Sequence, residues 1–167
     1  MGGRRDPGPS DGLALLVIDV QPGFPVPEAV VAGIAALSRR FYTIATVERH
    51  DEAVTPFARQ LGWTPPAEEA PLVPADRVFV KHGYLPPQDL IAHLRARSVA
   101  RVLVCGVQAE TCCLAAGFAL FDAGLSPTLL RWLSVGSSLD RSGALGASLW
   151  RHHFGSVWDG PEALPRP

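Results

Sequence analysis

An α/β fold, with a parallel sheet at its centre and helices on both faces, is what this sequence predicts. Two observations carry the prediction. Short apolar runs of strand length recur along the chain and end in charge or glycine, as in residues 13–18 before Asp19 and 101–105 before Gly106. Between them lie longer segments whose apolar residues fall at helical spacing. Continuous apolar runs suit strands buried on both faces, and strand–helix alternation makes a parallel sheet covered by helices. The composition agrees. At 167 residues, 47% hydrophobic and 19% charged, the chain has the size and apolar content of one globular domain.

The elements follow in order. Residues 1–12 carry Arg4 and Arg5 and no apolar stretch, and read as a flexible lead to a single domain over 13–167. Residues 13–18 form the first strand. Residues 28–40 form a helix, with Val30, Val31, Ile34, Leu37 and Phe41 on one stripe and Pro27 at its first turn. Residues 42–47 are a second strand. Residues 48–76 are irregular, with a short helix over 56–61 and a proline-rich loop over 64–74. Residues 77–81 are the third strand, and 87–97 a helix with Leu90, Ile91 and Leu94 inward. Residues 101–105 are the fourth strand, closed by Gly106. A helix over 111–123 ends at Gly124, a glycine C-cap. Residues 127–133 are the fifth strand. Asp140 caps a last helix reaching His153, and residues 156–158 form a short sixth strand.

Several function classes drop out. A net charge of -1 argues against a nucleic-acid surface. No apolar run is long enough to span a membrane, and no signal peptide is visible, so a cytoplasmic protein is expected. Three cysteines, an odd count, argue against a disulfide framework. The absence of asparagine excludes a Cys-His-Asn site. Lys81 is the only lysine, so its place at the end of an apolar strand points to chemistry.

In a parallel sheet, ligands bind at the carboxyl ends of the strands. Asp19 ends strand one, Lys81 ends strand three, and Cys112 follows strand four at the start of a helix. A helix N-terminus favours a thiolate and offers free N–H groups. A carboxylate can relay the thiol proton, and an ammonium can hold both anions. Each residue has a plainer reading alone: a cap, a snorkelling surface lysine, a small core residue. Their convergence at one sheet edge points to a nucleophilic site without histidine. Cys105 and Cys113 fit burial.

Three segments resemble a known family. Residues 16–24 (LVIDVQPGF) are similar to the first-strand signature of the isochorismatase-like cysteine hydrolases, which include nicotinamidases and N-carbamoylsarcosine amidases. Residues 78–81 (VFVK) resemble its lysine strand, and residues 104–113 (VCGVQAETCC) its nucleophile turn. The resemblance implies a triad of Asp19, Lys81 and Cys112, and a three-layer α/β/α fold around a six-stranded, mostly parallel sheet of order 3-2-1-4-5-6. It implies a cis peptide between Val107 and Gln108, with the N–H groups of Gln108 and Cys112 toward an oxyanion. It places Gln21 and Phe24 in the pocket. Tyr84 falls in the segment where relatives carry a substrate lid, and Trp63 lies in the irregular loop; either ring could stack on a flat substrate. Relatives are commonly dimers or tetramers, so a homo-oligomer is implied.

Departures matter as well. Ala109-Glu110 stands where relatives carry Thr-Asp or Thr-Asn, so one polar support of the turn is missing. The usual acidic residue after strand five is replaced by Arg131-Trp132-Leu133-Ser134. The metal-binding branch carries Asp-x-His and a further His; here the matching residues are Glu48, His50 and Val54. Zinc needs three protein ligands, so no metal or other cofactor is expected, and Glu48 and His50 shape the substrate mouth. His82, His93, His152 and His153 read as surface groups. The function expected is cleavage of a C–N bond in a small-molecule amide, through a thioester on Cys112. Two alternatives stay open: isochorismatase-type cleavage of a vinyl ether, and a catalytically silent domain that binds a small molecule or a partner.

Overall fold

The computed structural model describes residues 12–67 and 70–165. Most of the expected lead, residues 1–11, lies outside the described residues. The strands are β1 (Leu13–Ile18), β2 (Tyr42–Glu48), β3 (Arg77–Lys81), β4 (Arg101–Val107), β5 (Ser126–Val135) and β6 (Val157–Trp158). The helices are α1 (Glu28–Leu37), α2 (Gln88–Ala96), α3 (Cys112–Asp122) and α4 (Ala144–Phe154). A single π-helical turn covers Phe57–Leu61.

The six strands form one sheet in the order β3-β2-β1-β4-β5-β6. Every pairing is parallel, so the sheet is wholly rather than mostly parallel. The continuous apolar runs have the physical cause expected of them. Along β1, Ala14, Leu16 and Ile18 face one core with Leu90, Leu94, Leu120 and Trp150 from α2, α3 and α4. Leu15 and Val17 face a second core with Ile34 and Leu37 from α1. A strand with a core on each face must be apolar at both parities.

Several boundaries differ from expectation, among them the end of α1 at Leu37 and of β5 at Val135, and two of them bear on the site. β4 does not stop at Gly106 but runs on to Val107. Gly106 has φ +114°, and a Cβ there would stand 2.2 Å from the Ile18 carbonyl oxygen. Glycine at this place is a close approach of β1 and β4, which draws their carboxyl ends together. α4 begins at Ala144, later than expected, because Asp140 caps the turn before it: its carboxylate accepts from Ser142 N–H (3.1 Å) and Leu145 N–H (2.7 Å). No helix among the described residues is long and apolar enough to cross a membrane.

The register then fixes the site. Ile18 lies beside Thr46 in β2 and Gly106 in β4, and Glu48 lies beside Lys81. Asp19, Glu48, Lys81 and the turn after Val107 therefore emerge along one edge, around the central strand where the order reverses.

Candidate active site

Asp19 is the first residue past β1 and adopts φ +52°, in the left-handed region. β2 holds it there. Its N–H donates to the Thr46 carbonyl (3.2 Å), and the Thr46 hydroxyl donates to Asp19 Oδ1 (2.8 Å). Asp19 Oδ2 meets Lys81 Nζ at 2.7 Å. Lys81 Nζ also donates to Glu48 Oε2 (2.6 Å) and the Gly83 carbonyl (2.6 Å), and lies 3.5 Å from Cys112 Sγ. All three charged side chains are 3% exposed or less. A buried charge is tolerated only when paired, and one ammonium here serves two carboxylates.

Cys112 opens α3, with Thr111 in the N-cap position. The preceding turn is tied down by its backbone. The Gln108 carbonyl accepts from Thr111 N–H (3.0 Å) and Cys113 N–H (3.1 Å), and Ala109 N–H donates to the Val135 carbonyl (2.9 Å). The peptide bond between Val107 and Gln108 is cis. Ala109 and Glu110 do not leave this turn unsupported. Ala109 is fully buried against Gly146 of α4, and Glu110 Oε1 accepts from Ser137 N–H (2.8 Å).

Burial and the neighbouring carboxylates act against the thiolate that the helix terminus and Lys81 favour. Burial pushes the Cys112 thiol up to about 12; Lys81 pulls it down, while Asp19 and Glu48 push it further up. Magnitudes explain the outcome. A helix terminus contributes roughly 0.3–1 kcal/mol at exposed sites, less than one pKa unit. Desolvation shifts a group by up to about 3–5 units when burial is complete, and the half-buried Cys112 takes part of that. Burial therefore favours the protonated thiol over the thiolate. Lys81 is the reverse case: burial alone would lower its pKa, but Asp19, Cys112 and Glu48 together hold it above its ordinary value. Glu48 is raised, first by burial and also by Asp19, against the pull of Lys81. Cys105 and Cys113 are wholly buried, and burial raises both thiols.

Around these groups lies a narrow cleft. Asp19, Glu48, Val107, Gln108 and Cys112 line it together with Phe24, Phe57, Trp63, Pro65 and Tyr84. Phe24, Trp63 and Tyr84, expected near the substrate, are among the lining residues. Gln21 does not line the cleft. Its Nε2 donates to the Glu48 carbonyl (2.8 Å) and its Oε1 accepts the Glu48 N–H (2.6 Å), so it braces the wall from behind. His93 is not merely a surface group, since its ring meets the Tyr42 hydroxyl at 2.8 Å.

Sequence reasoning missed Thr46, Phe57 and Pro65. Thr46 had a usable signal, a polar residue inside a buried strand one register step from Asp19. Phe57 is the one aromatic of the short turn near the mouth. The Glu52 carboxylate accepts from Ala58 N–H (2.9 Å) and Arg59 N–H (3.2 Å), which anchors that turn. Phe57 packs edge-on to Tyr84 at 5.4 Å between centroids and lies 5.2 Å from Trp63.

The residues in the metal-branch positions do not fit a metal. Glu48 Oε2 is engaged by Lys81, His50 Nε2 faces Glu52 at 3.3 Å, and Val54 carries no donor. Among the described residues, no group of three His, Cys, Asp or Glu side chains is placed to hold an ion.

Fold and site together define a class: an α/β enzyme whose reactive groups gather at the carboxyl edge of a parallel sheet. The isochorismatase-domain family profile matches residues 13–131, and the chain belongs to that family of hydrolases. Solved structures share the fold. PnC1 from L. infantum, solved with nicotinate, is 21% identical with a TM-score of 0.72, over 88% of this chain and 92% of that one. A pyrazinamidase from Pyrococcus horikoshii, solved with zinc, is 22% identical with a TM-score of 0.71, over 89% and 99%. An isochorismatase family protein from Desulfovibrio vulgaris is 18% identical with a TM-score of 0.68, over 87% and 93%. No curated protein matches the sequence.

Proposed function

We propose that this hydrolase cleaves the C–N bond of a small-molecule amide through a thioester on Cys112. The observation that carries the reading is the position of Lys81 Nζ, 2.7 Å from Asp19 and 3.5 Å from Cys112 Sγ in a buried site. Asp19 takes the thiol proton as Cys112 Sγ attacks the amide carbon. The N–H groups of Gln108 and Cys112 receive the oxyanion; the latter is a first-turn N–H with no intrahelical acceptor. The C–N bond breaks as Asp19 returns the proton to nitrogen, leaving the acyl group on sulfur. Asp19 then takes a proton from water. The hydroxide adds to the thioester, the C–S bond breaks, and the acid leaves as Sγ recovers its proton. Lys81 keeps Asp19 charged and steadies the sulfur anion as it develops. Burial favours the protonated thiol, so a base beside it is what the attack needs.

Nicotinate bound to PnC1 from L. infantum is the acid of a flat aromatic amide. A cleft walled by four aromatic rings suits flat substrates of that kind. An ammonia-release screen over primary amides tests the reading. Turnover that disappears in Cys112→Ala and Asp19→Asn is expected. Lys81→Arg should lose most of it, because a planar fork cannot replace a compact ammonium held by three oxygens. Turnover of a vinyl ether that survives Cys112→Ala would replace this reading with the isochorismatase-type reaction.

A further inference from the structure

The site carries a shortage of positive charge that the thioester chemistry does not use. Asp19 and Glu48 are two buried carboxylates, and Lys81 is the one ammonium between them. An ammonium has three protons. Lys81 donates to Glu48 Oε2, the Gly83 carbonyl and Cys112 Sγ, and pairs with Asp19 Oδ2 by charge at 2.7 Å. Glu48 Oε1 is buried and has no hydrogen-bond partner among the described residues. Glu48 is 2% exposed and lines the cleft with Cys112. Gln21 holds its backbone at both N–H and C=O, so the side chain departs from a fixed point. A buried carboxylate oxygen without a donor is costly, and a bound group that supplies one is favoured accordingly.

The neighbouring walls narrow the chemistry. Phe57, Trp63 and Tyr84 line the same cleft, and their rings are in mutual contact around Phe57. Aromatic faces attract organic cations but supply no ligand to a metal ion. With no third metal donor at hand, they favour an organic cation over a metal.

We propose that Glu48 Oε1 is the anchor for a positively charged ammonium or amidinium on the substrate, remote from the scissile amide, with the Phe57, Trp63 and Tyr84 rings around it. The inference rests on the amidase reading and adds a substrate class to it: amides that carry a cationic nitrogen. Burial raises the Glu48 carboxyl, with Asp19 adding to the effect, which fits the same deficit of positive charge. The product acid carries a negative charge into a site already rich in carboxylates, so its release is favoured as well.

Two probes isolate the remote group: 3-(aminomethyl)benzamide, a cation at neutral pH, and 3-(hydroxymethyl)benzamide, its neutral counterpart. Their affinities are measured by calorimetry on chelator-treated Cys112→Ala protein, which binds without turning over. The cation is expected to bind at least about tenfold more tightly, the scale of one charge-assisted hydrogen bond. Adding Glu48→Gln is expected to erase the preference, with the folded state checked by thermal unfolding. The first comparison needs no Glu48 variant, so a Glu48→Gln protein that fails to fold does not rescue the proposal. Equal affinities, a preference for the neutral probe, no saturable binding of the cation, or a preference that survives Glu48→Gln would overturn it. Failure of the amidase reading shows separately, as wild-type protein that binds the probes and releases no ammonia from any amide.

Discussion

Cys112 and Cys113 are adjacent on α3, and adjacent helical residues point about 100° apart, so one cleft cannot take both. The structure separates them by burial: Cys113 is wholly enclosed, whereas Cys112 lines the cleft. Limiting iodoacetamide is therefore expected to label Cys112 first, with the site read by peptide mapping. The thiol at about 12 adds a pH signature. The rate should rise about tenfold per pH unit from neutrality upward, because only thiolate reacts and its fraction grows that way below the pKa. A plateau near neutral pH would mean a preformed ion-paired thiolate, and first labelling at Cys113 would shift the site by one residue. The position of Cys112 was legible in the sequence; its protonation was not, since burial is a property of the packed molecule. The separation of Glu48 from Gln21 was equally hidden, because pairing across 27 residues appears only once β1 and β2 are in register.

At the scale of elements, the nucleophile turn depends on α4 more than on its own side chains. Gly146 packs so closely that a Cβ there would stand 2.5 Å from Ala109 Cβ and 2.6 Å from the Ala109 carbonyl carbon. Part of that contact is backbone, so the turn itself must shift. Gly146→Ala is predicted to cost about 1–3 kcal/mol of stability, the range of overpacking, and to lower turnover together with it. Exposed Ser148→Ala on the same helix should change neither, and thermal unfolding with activity assays checks both. Undiminished activity in Gly146→Ala would show that α4 does not position the turn. All six strands and four helices were readable from apolar runs and spacing, because every strand except the edge strand β3 has core residues on both faces. Boundaries were less legible where tertiary contact overrides local signal. Gly106 reads as a strand end, yet it lets β4 pass close beside Ile18. Glu110 reads as a lost polar support, yet it reaches Ser137 from the next crossover.

The whole molecule carries a signature of its buried thiols. Cys105, Cys112 and Cys113 all have raised pKa values, with burial as the first cause. Unfolded, they titrate near about 8.5. Above that pH the folded chain holds more protons than the unfolded one, so stability present below it is lost as pH rises toward the folded values. Lys81, also raised, has the same sign and begins to contribute near about 10.4. Urea unfolding is expected to show stability falling by about 1 kcal/mol per pH unit for each thiol above about pH 9. Replacing Cys105 and Cys113 by alanine should make that slope shallower, and a flat profile in the parent would contradict their burial. The central claim remains the covalent step at the carboxyl edge of the sheet. Intact-protein mass spectrometry after rapid acid quench, during turnover of an amide that releases ammonia, tests it most directly. An added acyl mass that maps to the peptide containing Cys112 and is absent in Cys112→Ala is expected. Sustained ammonia release from Cys112→Ala, or an acyl group mapped to any other residue, would contradict it.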